Sequence, residues 1–411
     1  MNTWTLSLGG LRTVTELELK QRVRSKRWIW ALAGWFVLIG AVTGLIIWAA
    51  HEIYNWDNNG LQAGPMAFGV ITFFVLGMGL LIAPTFSATS INGDRAGGTL
   101  ATLQATKLSA LEIASGKLLA AWLTAAVFLV VALPFIVWSM VLGNISVLQV
   151  LVVFSVVLIE VAVVCAIGLG WSALSSRPAG SAVMTYLSIA FLTIISTMVM
   201  LLLTPMVVEE EPVRIWGLHG QVLDEYESAT ERYWNANPDG DGSGMPAAPI
   251  GKCEWYDDVR TVTHTDQVWW ITVVNPFVIV ADAAPLPPGA AKNLNQYESL
   301  GSDPLATIRW GVRQLSLPAQ VEFDECSHYY DGLPGYEVSY DNNGNVSVTT
   351  TKGGATVNVE SPVKRPAVNV ETPIWPWGLG ANLLIGALFF WIAVRRLRIP
   401  YATLPKGTRV A

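Results

Sequence analysis

INGDRAGGTLATLQATKLSALEIASGKL, residues 91–118, lies between two long apolar runs and decides how the chain is read. Asp94, Arg95, Lys107, Glu112 and Lys117 make it too polar to cross a hydrocarbon core, where one charge at mid-depth costs about 2.5–3.5 kcal/mol on insertion scales. The runs on either side are therefore separate spans, and this stretch joins them. Gly97-Gly98 breaks the chain, and residues 99–104 read as a short helix with Leu100 and Leu103 on one face. Ser109 and Glu112 have the spacing of a capping box, in which each side chain accepts from the other residue's backbone N–H. A helix is thus predicted to start near Ala110 and run straight into the next span.

Working outward, the rest of the 411 residues agrees. The chain is 52% hydrophobic and only 14% charged, against about 25% charged in an ordinary soluble domain. Six runs approach the ~20 apolar residues that a bilayer core demands: 28–50, 65–90, 117–142, 146–173, 179–206 and 375–394. Pro84 and Pro134 sit inside two of them and are expected to kink them. The first run follows Glu16, Glu18 and a basic cluster and is too long for a signal-peptide core, so it is expected to be a permanent span. Residues 1–27 carry Arg12, Lys20, Arg22, Arg24, Lys26 and Arg27 beside a stripe of Leu11, Val14, Leu17, Leu19 and Val23. That pattern predicts an amphipathic helix lying on an anionic inner leaflet.

Charge sets the expected orientation. Residues 207–375 hold 10 Lys and Arg against 24 Asp and Glu, while the remainder of the chain is net basic. Neither part presents the basic surface that nucleic-acid binding needs. The N-terminus, the 91–118 linker, Arg177 and the tail with Arg395, Arg396, Arg398, Lys406 and Arg409 fall on one side, whereas residues 51–64 and 143–145 contain no Lys or Arg. The positive-inside rule places both termini and the linker in the cytoplasm of a plasma-membrane protein and residues 207–374 outside.

The linker resembles the segment between the second and third spans of type-2 ABC exporter permeases. Asp94-Arg95, Gly98-Thr99-Leu100, Leu103, Lys107-Leu108-Ser109, Ile113 and Gly116-Lys117 carry the resemblance; Ala101 and Lys107 depart from the pattern, where an acid and a proline are common. The rest of the chain fits the family in span order, in an actinobacterial-like form with a large insert. The resemblance implies an elbow helix at 1–27, five spans over 28–206 with the coupling segment 91–118, an extracytoplasmic mixed or β-rich insert at 207–374, a sixth span at 375–394 and a cytoplasmic tail at 395–411. It implies that Asp94, Arg95, Gly98, Thr99, Leu100, Leu103 and Arg177 contact a separate cytoplasmic ATPase. That partner would hold ATP and magnesium, and a second permease subunit, the same or related, would complete the transporter. The alternative is a non-transporting relative that transmits ATP-driven motion to the envelope or to a signalling partner.

The residues themselves offer no enzyme. His51, His219, His264 and His328 show no metal-ligand spacing, and Gly116-Lys117 is followed by Leu118, so it is not a phosphate loop. Neither a metal nor a cofactor is expected in this chain. Glu160 stands near the middle of the fourth span. It has two readings: a polar contact lining a substrate path, or a helix–helix hydrogen bond, for instance to a Ser or Thr of the fifth span. Cys253 and Cys326 share an insert expected to face an oxidising compartment and are expected to pair as a disulfide, with two free thiols as the competing reading. In the insert, residues 336–340 and 346–350 flank an Asn-Gly turn and predict a hairpin, with a third strand near 355–359 and a flexible loop at 237–244. The apolar stretch 271–280 has two readings, an interfacial segment or a buried strand. Trp269, Trp270, Trp375 and Trp377 suit a membrane surface.

Overall fold

A computed structural model describes residues 4–23, 26–54, 63–100, 103, 108–143, 145–238, 244–246, 252–285, 303–327, 336–340, 346–350, 357–363 and 372–398. The chain is mostly helical. Helix α1 covers Leu8–Val23, α2 Lys26–Tyr54, α3 Ala63–Ser87, α4 Asn92–Ala96, α5 Ala110–Gly143 and α6 Val147–Leu174. The fifth apolar run is helix α7, Pro178–Ala190, a π-helical turn at Phe191–Ile195, and helix α8, Ser196–Leu203. After an insert containing α9 (Gln221–Ala236), α10 (Pro276–Ala283) and α11 (Pro304–Leu315), the chain ends in α12, Trp375–Leu397. Among the described residues six segments are long and apolar enough to cross a membrane, and they lie where the hydropathy placed them.

Helix α6 is the hub. Its apolar window is 61% buried, against 17% for α2 and 22% for the α7–α8 segment. An apolar helix with little buried surface needs lipid or another chain against its open face, so those two spans form the periphery. The core is built by Phe68, Ile71 and Leu76 of α3, Leu129 of α5 and Val157 and Val161 of α6. Gly170 of α6 meets Phe389 and Gly386 of α12 meets Val163, so small residues let the last span lie close against the hub.

The π turn has an identifiable cause. Thr193 O accepts from the Asn275 side-chain amide at 2.8 Å and from Thr197 Oγ1 at 3.1 Å, and the same amide reaches Thr197 Oγ1 at 3.1 Å. A widened turn frees a carbonyl, and Asn275 fills the gap. Asn275 Oδ1 meanwhile accepts from Phe277 N and caps α10, with Pro276 in the first turn. The 271–280 stretch is therefore not a strand. It is a 3-10 turn over Trp269–Thr272 followed by a helix whose Pro276 and Val278 to Ala283 are buried. The Asn-Pro pair decides this, because it sets a helix start where strand pairing would need a free proline N–H.

Asp282 then locks the segment to its neighbours. Its Oδ1 accepts from Arg313 Nε of α11 at 2.7 Å, and its Oδ2 accepts from the N–H groups of Ile374 and Trp375 at 2.7 and 2.8 Å. A buried carboxylate thus satisfies the free donors at the start of the last span and favours its positive dipole end. Arg309 donates to Ala281 O, and burial together with neighbouring Arg313 pulls its guanidinium down to about 10.

The insert is mixed rather than β-rich. Strands β1 (Val208–Gly217), β2 (Glu254–Thr263) and β3 (Glu322–Asp324) form a sheet in the order β2-β1-β3, β2 antiparallel and β3 parallel to β1. Strands β4 (Tyr336–Tyr340), β5 (Val346–Thr350) and β6 (Val357–Glu360) form a second sheet. The hairpin pairs Tyr336 with Thr350 and Tyr340 with Val346; its turn, most of the 237–244 loop and the tail beyond Arg398 lie outside the described residues. Cys253 is disulfide-bonded to Cys326 across the first sheet, packed with Leu218 and Val348.

Cross-linking residues 73 apart stabilises by about 4 kcal/mol on the chain-entropy model. The Cys253→Ala/Cys326→Ala variant is expected to keep its membrane helices while the insert becomes sensitive to limited proteolysis. Equal resistance of parent and variant insert would show that packing alone suffices.

Candidate functional site

The 91–118 linker is sewn into the bundle from both ends. At its start, Ser172 Oγ of α6 accepts from Ile91 N at 3.0 Å and from Asn92 N at 3.2 Å. The fully buried Asn92 amide donates to Ser181 Oγ of α7 at 2.7 Å, and Ser181 Oγ donates to Ala88 O at 2.6 Å. These bonds satisfy backbone groups between α3 and α4 that no water can reach. Gly98 adopts φ 73, a left-handed conformation that redirects the chain out of the short helix α4.

At its far end the capping box forms as its spacing predicts. Glu112 N donates to Ser109 Oγ at 3.1 Å and Ser109 N to Glu112 Oε2 at 2.8 Å. The Glu112 carboxylate also accepts from Ser7 N and Ser7 Oγ, at 2.8 and 2.6 Å, and Ser109 Oγ donates to Thr5 O. The start of α5 thereby holds the segment leading into α1.

One turn further along, Gly116 and Lys117 make the central contact. A Cβ on Gly116 would stand 2.6 Å from Val14, so only glycine lets α1 lie this close. Lys117, 1% exposed, donates to Glu18 of α1, to Asp94 of α4 and to Ser90 O at 3.1 Å. Glu18 also accepts from Arg22 at 3.4 Å, and Arg22 donates to Phe86 O at 3.1 Å and Thr124 Oγ1 at 3.4 Å. Two cations and two carboxylates balance. Burial pulls the Arg22 guanidinium below its ordinary value, and Glu18 opposes that shift. The buried face of α1 is accordingly Val14, Thr15 and Glu18, while Leu17 and Val23 of the apolar stripe stay exposed.

This geometry sorts the residues assigned from sequence. Leu100 is 7% exposed and packs with Ile91, Ile113, Leu169, Ala393 and Leu397; Leu103 is half-buried against the same cluster. Leu100 thus anchors the linker to its own bundle, where α5, α6 and α12 converge beneath it, and Leu103 keeps part of its surface open. Asp94 is likewise spent on Lys117. Ala96, Gly97, Thr99 and Arg177 are exposed, Arg95 is half-exposed, and Arg395 and Arg396 are exposed on the last turn of α12. Among the described linker residues the exposed surface is thus small. Sequence reading missed Asn92, Ser172, Ser181 and Glu18. Polar residues recurring at the ends of otherwise apolar helices were the available signal.

Glu160 is fully buried and accepts from the Asn382 amide of α12 at 3.1 and 3.3 Å, and that amide also donates to Val274 O at 3.1 Å. The partner is in the sixth span rather than the fifth. A small, partly open apolar void lined by Phe68, Thr72, Val75 and Val157, and an open groove between Leu151, Ser155, Ile159 and Trp375, both lie apart from Glu160 in their lining. In this chain Glu160 is a helix–helix contact. The histidines also change standing: His264, unremarkable by spacing, lies 3.3 Å from Glu211 across the β1–β2 ribbon.

Neither protein-family models nor curated proteins match this sequence.

Removing one partner from a buried ion pair costs about 3–5 kcal/mol, because the other charge is left unpaired. Lys117→Met is expected to lower the Tm of the purified protein and to release α1, read as new protease cleavage near residue 20. Adding Glu18→Gln and Asp94→Asn should restore much of the loss. A Lys117→Met protein as stable as the parent would show that the cluster does not hold the elbow. Leu100→Ala is expected to cost about 2–5 kcal/mol of fold stability, measured by the same melting curves.

Proposed function

We propose that this chain is the permease subunit of an ATP-driven exporter of the type-2 ABC class, taking its energy from a separate cytoplasmic ATPase. The observation that carries the reading is the Glu18–Lys117–Asp94 cluster. It fastens the 91–118 linker to the elbow helix and to the third span, so a force applied to the linker moves spans instead of being lost in a loose loop. Asn92 extends the same attachment to α6 and α7. A lever of this kind is what a membrane subunit without a nucleotide site requires, and rigid-body rocking of packed helices is its expected motion.

The docking face is then the exposed Ala96–Gly97–Thr99 surface with Arg95, Arg177, Arg395 and Arg396 around it, suited to an acidic rim on the ATPase. Basic residues at this end support a cytoplasmic location for it in a plasma-membrane protein, with the 207–374 insert outside. The sparsely buried α2 and α7–α8 spans leave room for a second permease subunit beside the lipid.

A second reading, force transmission without transport, has its own support. The fifth span continues through Thr204–Val207 directly into β1, and Asp282 ties α10 and α11 to the start of α12. Motion of the spans would pass into the insert through these joints.

Arg177→Glu with Arg95→Glu is expected to leave the protein inserted and folded but to reduce co-purification of the ATPase about tenfold or more, with the parent's capture weakening as salt rises. Capture and transport-coupled ATP turnover at parental levels in this variant would overturn the proposal. Vesicles that hydrolyse ATP without moving substrate, yet alter protease access to the insert, would favour transmission.

A further inference from the structure

The β1–β2 ribbon gathers a histidine and two glutamates from distant parts of the sequence. Glu209 and Glu211 are two apart on β1 and share one face of the sheet, opposite Val262 and Arg260. His264 follows β2, and its N–H donates to Val207 O at 2.9 Å, which continues the pairing by one step. That register returns the imidazole to the face of Glu209 and Glu211. One ligand atom from each of the three residues lies within 4.8 Å of the others.

The charges at this place are unbalanced. Glu209, Glu211 and Asp266 converge on one imidazole, and among the described residues no Lys or Arg pairs with any of them. Arg260, on the same face, is taken by Glu325 at 2.6 Å and by Asp258 at 3.2 Å. His264 Nε2 is inaccessible to solvent and has no hydrogen-bond partner; it lies 3.3 Å from Glu211 Oε1 without alignment for a hydrogen bond. Asp266 Oδ1 is inaccessible and unpartnered too, 3.8 Å from His264 Nδ1. A buried lone pair facing carboxylates is costly unless a cation joins them.

We propose that Glu209, Glu211 and His264 form a divalent-cation site selective for zinc, with Asp266 positioning the imidazole. Zinc takes imidazole nitrogen and carboxylate oxygen at about 2.0–2.2 Å, which puts tetrahedral ligand atoms about 3.3 Å apart, and the His264–Glu211 edge already has that length. The Glu209 side chain closes by rotation on an exposed strand position. An imidazole ligand favours zinc over calcium or magnesium, and the fourth position is left to water. The site lies where the fifth span passes through Thr204–Val207 into β1. Bound zinc would clamp both strands of the ribbon at that joint.

The test uses the full-length protein in detergent, stripped with a chelator and titrated with zinc chloride against a chromogenic indicator. One zinc per chain at micromolar concentration is expected, with a rise in Tm on loading. His264→Gln and Glu209→Gln should each weaken binding about tenfold or more and abolish the Tm rise, and Asp266→Asn should weaken it about tenfold. His219→Gln should change nothing. Glu209 is exposed, so its variant reports binding even if His264→Gln folds poorly. Absence of zinc uptake by the parent, equal uptake by parent and Glu209→Gln, or preference for calcium would each overturn the assignment, leaving only a close Glu211–His264 contact.

Discussion

A lysine with 1% of its surface exposed, at the foot of an apolar helix, constrains everything around it. An ammonium removed from water must be met by charge and by acceptors, and Lys117 has Glu18, Asp94 and the Ser90 carbonyl. Those three acceptors come from the elbow helix, the linker and the turn after the second span. Any of them that moved away would strip a buried ammonium of one of its acceptors. Elbow, linker and third span therefore behave as one body, and Gly116 provides the close approach that lets them do so.

The same economy recurs at the opposite end of the helices. Asp282 collects Arg313 and two N–H groups of the last span, and Asn275 fills the opening in the fifth span's hydrogen-bond ladder. Between these two ends lies the Glu160–Asn382 contact, deep in an otherwise apolar bundle. Apolar faces do little to choose between helix registers in a lipid-like environment, since lipid and leucine are equally apolar. A few polar ties, each with its partners supplied, set which helices meet and at which height. In the proposed transporter these ties would also mark the joints through which cytoplasmic force passes toward the insert.

Much of the outline was legible in the sequence. The six spans follow from the lengths of apolar runs, because a bilayer-crossing helix must satisfy its own backbone and hydrophobic demands locally. The Ser109–Glu112 cap and the Tyr336–Thr350 hairpin are likewise local, written by residues three apart or by a turn signal. Reading failed where a residue's role depends on something far along the chain. Leu100 looked like an exposed anchor because its short helix was considered alone; α5, α6 and α12 bury it. Of the two readings of the 271–280 stretch, apolarity alone could not exclude the strand; its Asn-Pro start and its burial against the bundle make it a helix.

The sequence by itself determined the number and order of spans, the polar linker between the second and third, and the presence of a large insert before the last. Each follows from hydrophobicity and local capping, which act over a few turns of one segment. Only the tertiary structure decided the partners. Glu18 meets Lys117 across 99 residues, Asn382 meets Glu160 across 222, and His264 returns to Glu211 through the register of a ribbon. Charge and hydrogen bonding act through space at a few ångströms, so no spacing along the chain encodes them; they exist only once packing has brought the segments together.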